Sequence, residues 1–274
     1  MKVDLFGKNC SELLEKKLFL FDMDGTIYEE DKVFDGTIEL LNNIKESGHQ
    51  YVFITNNSSK SLDDYIKKVN RLGISADRDN FYTSTQATIA YIQENFKDKL
   101  VYCMGTESFL SEMKKNKINI TTEVDMSADA VVIGFDTELT SSKLRNTCEM
   151  LQKDIPYIAT NPDLACPVSF GFIPDCGAIG KMIECATGKL PLYIGKPAPT
   201  MVNFVMKKFN YKKEETVVIG DRLYTDIAVG LNAGVTAICV LTGETKFEDL
   251  KDSDIKPTFV FESVRGICSI IEKR

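Results

Sequence analysis

The stretch Leu18-Phe19-Leu20-Phe21-Asp22-Met23-Asp24-Gly25-Thr26 sets the reading of the chain. Four consecutive apolar residues predict a short strand buried on both faces, the habit of parallel sheets rather than of half-exposed antiparallel ones. Two carboxylates follow at once, two residues apart, and a glycine then lets the backbone turn tightly or approach a ligand.

Working outward, the same rhythm continues. Thr37–Glu46 predicts a helix capped by Asp35, with Gly48 past its end, and Tyr51–Ile54 a second strand. Ser61–Leu72 reads as a helix closed by Gly73, followed by a short strand and the helix Ser84–Phe96. Further strands are expected at Leu100–Cys103, Ala130–Gly134, Tyr157–Ala159, Thr216–Ile219, Thr236–Val240 and Thr258–Val260. Helices are expected at Glu107–Lys114, Ser141–Gln152, Gly177–Thr187, Pro199–Phe209, around Thr225–Ala233 and at Val264–Glu272. Alternating strands and helices predict an α/β fold with a Rossmann-like parallel sheet covered on both faces.

Composition narrows the class. The 274 residues are 43% hydrophobic and 27% charged, ordinary for a globular protein with a real core. A net charge of -7 argues against nucleic acid or an anionic membrane as partner. No apolar run approaches the roughly 18 residues that span a bilayer, and Leu18–Phe21 is too short for a secretory leader. The eight cysteines include no C-x-x-C pair, so they are read as buried reduced thiols of a cytoplasmic protein. The one histidine, His49, lies between a helix and a strand and is read as a turn residue.

Ligands of open parallel sheets sit at the carboxyl ends of strands. Three predicted strands end there in polar residues: Asp22-Met23-Asp24-Gly25-Thr26, Thr55-Asn56-Asn57, and Gly220-Asp221 with Asp226 five residues on. Gly195-Lys196-Pro197 follows a further apolar run. One carboxylate of the first group can attack phosphorus, while the other protonates the leaving oxygen and then activates water. Carboxylate and phosphate repel, so this chemistry needs a hard cation such as Mg²⁺ with oxygen ligands. Asp22 and Asp221 can supply carboxylates, and Asp24 its backbone carbonyl. Lys196 can add a point charge, and Thr55, the Asn56 backbone and the Gly25 N–H can donate to phosphate oxygens. Taken singly, each group also fits a surface turn or a solvated helix start; their order along one chain is what gives them weight.

That order, D-x-D-G-T, T-N-N, G-K-P and G-D-x-x-x-T-D, resembles the haloacid dehalogenase superfamily over nearly the whole chain. Gly134-Phe135-Asp136, Ala159-Thr160-Asn161-Pro162-Asp163, Gly195-Lys196-Pro197-Ala198-Pro199 and Gly220-Asp221-Arg222-Leu223-Tyr224-Thr225-Asp226 are similar to its NagD-like, para-nitrophenylphosphatase-like branch. The resemblance implies a phosphatase with Asp22 as nucleophile and Asp24 as acid/base. Thr55 and Lys196 would bind phosphate, with Asn56 and Asn57 beside them. Asp221 would bind the metal, and Asp226 would be a second acid holding the metal site in order. Asn161 and Asp163 are candidates to face the leaving group, although Asn-Pro-Asp equally suits a turn.

Spacing predicts the domains. Asp22 and Thr55 are 33 residues apart, too few for an inserted domain, whereas Thr55 and Lys196 are 141 apart. The excess reads as an inserted α/β cap domain at 98–189, splitting the core into 1–97 and 190–274. Such a cap can exclude water and select the leaving group. Here the chain departs from the branch: Pro174-Asp175-Cys176-Gly177-Ala178 stands where a Pro-Gly-small-Gly-Ser loop is usual, so no named substrate carries over. The expected partner is a small phosphorylated metabolite, and the resemblance adds a candidate homodimer through the cap. The reading from another class is a non-catalytic phosphate-binding regulator, which would be expected to lack one of Asp22, Asp24, Lys196 or Asp221. A dinucleotide-binding enzyme would carry G-x-G-x-x-G after the first strand, and Met23-Asp24-Gly25-Thr26 is not that.

Overall fold

A computed structural model describes residues 2–168 and 170–271. The chain divides into two compact units, one of Met1–Thr55, Tyr65–Tyr82 and Lys196–Arg274, the other of Asn56–Asp64 and Thr83–Gly195.

The first unit is built on a six-stranded sheet in the order Phe259–Phe261, Thr236–Val240, Thr216–Gly220, Leu18–Phe21, Gln50–Thr55, Phe81–Thr83. Leu18–Phe21 pairs in parallel on both sides, Phe21 lying level with Ile219 and with Phe53. All four of its side chains are buried, as the unbroken apolar run requires. Chain order departs in opposite directions from this strand: the sheet grows toward Gln50–Thr55 on one side and toward Thr216–Gly220 on the other. Such a switch point opens a crevice at the carboxyl ends of the strands, where Asp22 begins.

The second unit carries its own sheet, in the order Leu192–Tyr193, Tyr157–Ala159, Ala130–Ile133, Leu100–Met104, Asn119–Thr121, with parallel pairing throughout. Its core gathers Val131, Ile133, Phe135, Met150, Cys176 and Ile179. The helix Ser84–Asn95 starts in a capping box: Thr83 Oγ1 accepts from Gln86 N, and Gln86 Oε1 accepts from Thr83 N.

Several elements differ from the sequence reading. Asp35 does not cap Thr37–Glu46. Gly36, with φ of 82°, occupies the cap position without a side-chain bond, and Asp35 lies 3.3 Å from Arg265 Nε instead. The helix expected around Thr225–Ala233 begins with a wide π-turn, Leu223–Ile227, and becomes α-helical only at Ala228–Ala233. Two hairpins were not foreseen, Tyr28–Glu29 with Lys32–Val33 and Ala165–Val168 with Gly171–Pro174, nor was the strand Asn119–Thr121. At two to four residues they are too short to show an apolar period. The last helix runs Val264–Ile271; Glu272, included in the expected helix, lies outside the described residues. Five of the eight cysteines are buried, Cys148 and Cys166 are half-buried, and Cys185 is exposed. Among the described residues no helix is long and apolar enough to cross a membrane.

Candidate active site

Asp22 is delivered by the end of the central strand, and its N–H continues the ladder to Ile219 O at 2.9 Å. Its carboxylate is 16% exposed and accepts from Lys196 Nζ at 2.6 Å. The same ammonium donates to Asp226 Oδ1 at 2.6 Å and to Ile54 O at 3.2 Å, and is itself only 3% exposed. Lys196 therefore ties the Asp22 loop to the end of the Gln50–Thr55 strand and to the π-turn. Asp226 is fully engaged, since its Oδ2 accepts from Arg222 N at 3.1 Å. The π-turn has a local cause: the Asp226 and Ile227 N–H groups both reach back to Arg222 O.

Asp221 follows the Thr216–Gly220 strand and is 2% exposed. Thr26 Oγ1 donates to its Oδ1 at 3.1 Å and Glu244 N to its Oδ2 at 2.8 Å. Arg222 Nε lies 3.0 Å from Glu244 Oε2.

The ligand atoms of Asp22, Asp221 and Asp226 all lie within 4.8 Å of one another. Burial, and then the charge of Asp226, pushes the Asp22 carboxyl well above the usual carboxylate range, although Lys196 pulls the other way. The same two causes, in that order, raise Asp221 to about 6. For Lys196, burial disfavours the charged form, but Asp22 and Asp226 outweigh it and hold the ammonium above its ordinary value. Three acids of little exposure face Lys196 and Arg222, so the cluster carries surplus negative charge. Compact, all-oxygen and acidic, this donor set fits a hard divalent cation.

Of the residues singled out from sequence, Asp22, Lys196, Asp221 and Asp226 are thus brought together. Thr55 closes its strand, buried. Asp24 is not in the acidic cluster. Its side chain, 60% exposed, lies 3.3 Å from Lys68 Nζ. Gly25 departs from expectation: its N–H is consumed by Tyr28 O at 2.8 Å, which closes the loop, so it is not aimed at a ligand. Its value is steric. With φ of +84°, a Cβ at this position would stand 2.6 Å from Asp221 Oδ2. Gly25→Ala is accordingly expected to displace Asp221 and to cost about 1–3 kcal/mol in backbone strain. The thermal unfolding temperature should fall; a wild-type value would show that the loop yields freely.

Asn56, Asn57, Asn161 and Asp163 belong to the other unit and form a network there. Asn56 Nδ2 donates to Asp163 Oδ1 and Oδ2 at 3.2 and 3.1 Å, Asn161 Nδ2 donates to Asn56 O at 2.8 Å, and Asp163 N donates to Asn161 Oδ1 at 3.0 Å. Asn57 Oδ1 accepts from Ser59 N and Oγ. These bonds hold the loop after Thr55 in shape.

The sequence reading missed Thr26, Arg222 and Glu244 as partners of the acids, and Tyr28 and Lys68 as partners of Asp24. Glu244 could have been found, because its loop leaves the carboxyl end of Thr236–Val240, the same sheet edge.

Comparison with known proteins identifies the family. Residues 19–119 match the family model described as haloacid dehalogenase-like hydrolase, and 193–267 one described as HAD-hydrolase-like. An acid sugar phosphatase of Staphylococcus haemolyticus is 32% identical over 94% of this chain and 97% of its own. The crystal structure of a 4-nitrophenylphosphatase from Thermotoga maritima superposes with a TM-score of 0.90 at 38% identity, covering 95% of this chain and 99% of that one. A glycerol phosphate phosphatase from Mycobacterium tuberculosis, solved in complex with magnesium, gives 0.87 at 26% identity, covering 93% and 77%. The chain belongs to the haloacid dehalogenase-like hydrolases, in their NagD-like, para-nitrophenylphosphatase-like branch of phosphatases.

Proposed function

We propose that this phosphatase hydrolyses the monoester of a small phosphorylated metabolite through a phospho-aspartate on Asp22, with Mg²⁺ as its cofactor. The observation that carries the reading is the buried cluster at the sheet's switch point, in which Lys196 joins Asp22 to Asp226 at 2.6 Å each. An Asp22 oxygen attacks phosphorus as the bond to the leaving oxygen breaks, and Asp24 supplies that oxygen with a proton. The Asp24 carboxylate then takes a proton from water, which attacks the acyl phosphate, freeing phosphate and regenerating Asp22. Lys196 offsets charge on nucleophile and phosphate, and Asp226 orients Lys196. Thr55 and the Asn56 and Asn57 backbone are the proposed phosphate contacts.

Asp22, Asp221 and the Asp24 carbonyl would hold the Mg²⁺, which, when bound, neutralises the repulsion between carboxylate and phosphate. The Asp22 and Asp221 carboxylates, whose oxygens lie within 4.8 Å of one another, support this choice, as does the magnesium complex of the mycobacterial relative. The segment 98–189 is proposed as the cap that selects the leaving group, with Asn161 and Asp163 as candidate contacts. The relatives' names, covering sugar, nitrophenyl and glycerol phosphates, support small organic monoesters as the substrate class.

The test is phosphate release from para-nitrophenyl phosphate and a panel of sugar phosphates, glycerol phosphate and nucleoside monophosphates, with Mg²⁺ and with chelator. Release is expected with Mg²⁺, falling by roughly 100-fold or more under chelator and returning when Mg²⁺ is restored in excess. Release from folded protein that ignores chelator would remove the metal from the proposal. No release from any ester would return the chain to the non-catalytic reading.

A further inference from the structure

The surroundings of Asp24 are more elaborate than a solvated acid needs. The short hairpin Tyr28–Glu29 with Lys32–Val33 turns the chain back so that Tyr28 pairs with Asp24 in an isolated bridge. The Tyr28 ring is fully buried, and its hydroxyl donates to Asp24 Oδ2 at 3.4 Å. From a different element, the helix Leu62–Arg71, Lys68 donates to Asp24 Oδ1 at 3.3 Å. The same ammonium stands 4.0 Å from the centre of the Tyr28 ring, where a cation is attracted to the aromatic face. A turn further along the helix, Arg71 reaches Asp31 in the hairpin loop at 2.6 Å.

Both oxygens of an exposed carboxyl group thus have a donor, at 3.4 and 3.3 Å, on separate elements, which biases its plane as well as its position. An exposed ion pair of this kind contributes little to stability. Orientation is a different matter, because a general acid must hold its proton within hydrogen-bond reach of the leaving oxygen. We infer that Lys68, seated on the Tyr28 ring, is a positioning residue for Asp24 and through it sets how well the enzyme expels poor leaving groups. This rests on the reading of Asp24 as the general acid.

The experiment compares kcat/KM for glycerol phosphate, whose alkoxide leaves poorly, with that for para-nitrophenyl phosphate, whose leaving group needs no proton. Asp24→Asn is expected to lower the ratio of the two by roughly 100-fold, and Lys68→Met and Lys68→Gln by roughly tenfold, mostly in kcat, with Lys68→Arg recovering most of the loss. Melting temperatures of the Lys68 variants should stay close to that of the wild type. If Asp24→Asn is selective but neither Lys68→Met nor Lys68→Gln is, the inference falls and the general acid stands. If the Lys68 variants lose both esters equally, Lys68 is only structural and the inference is again overturned. If Asp24→Asn itself loses both equally, the general-acid reading fails and takes the inference with it. Should Lys68→Met not fold, Lys68→Gln carries the same comparison.

Discussion

Asp22→Asn is expected to reduce phosphate release by at least about 10⁴-fold while the protein stays folded and melts no lower than the wild type. The amide matches the carboxylate in shape, and its oxygen still accepts from Lys196, now 2.6 Å from Asp22 Oδ1. It lacks the charge and nucleophilicity that form an acyl phosphate, so the first step has no substitute within the cluster. The stability expectation comes from the same geometry. Burial and the charges of Asp226 and Asp221 already raise the Asp22 carboxyl, so an ionised group there is held against an opposing field. A neutral side chain relieves that repulsion. Two measurements check the claim: steady-state turnover, and rapid-quench trapping of phosphorus label on the protein, sensitive to hydroxylamine in the wild type and absent in the variant. Residual activity within about tenfold of wild type would remove Asp22 as the nucleophile.

Much of the core was legible because its physics is local. A parallel strand buried on both faces must be an unbroken apolar run, so Leu18–Phe21, Thr216–Gly220 and Thr236–Val240 announce themselves. The polar residues that follow such runs then fall at one sheet edge by geometry, which is how Asp22, Thr55 and Asp221 could be grouped across nearly 200 residues of chain. What stayed hidden depends on contacts the pattern does not encode. The Tyr28 hairpin exists because Gly25 N bonds Tyr28 O and Phe34 N bonds Ile27 O, not because of an alternating period. Lys68, on an amphipathic helix between the buried Tyr65 and Val69, looks in sequence like any solvated lysine. Asp35 misled for the opposite reason. It is a good capping residue one position too early, and Gly36 takes the cap because a Cβ there would stand 2.8 Å from the Arg265 backbone.

Lys196→Met should be costly in both activity and stability, and the two losses should respond differently to pH. The ammonium bridges Asp22 and Asp226, and it is 3% exposed. Removing one partner from a buried ion cluster leaves the other charges uncompensated, a loss of about 3–5 kcal/mol when they remain ionised. They need not remain so. Without Lys196, which lowers it, the Asp22 carboxyl rises further above its unfolded value. The folded variant then holds a proton that the unfolded chain has released, so its stability declines as pH rises from the unfolded carboxylate range, near pH 4, through the folded value. The deficit against wild type should therefore be small near pH 4 and largest at neutral pH, read by denaturant unfolding in chelator. Saturating Mg²⁺ should recover part of it, because a cation that binds only the folded cluster stabilises by mass action. Activity should not recover: turnover is expected to stay down by roughly 10³-fold at every pH, since the charge offered to the transferring phosphoryl group is gone. A stability deficit that is the same at pH 4 and pH 7 would mean that Lys196 is held by packing rather than by its acids. Turnover near wild type would mean that it does not touch the reaction.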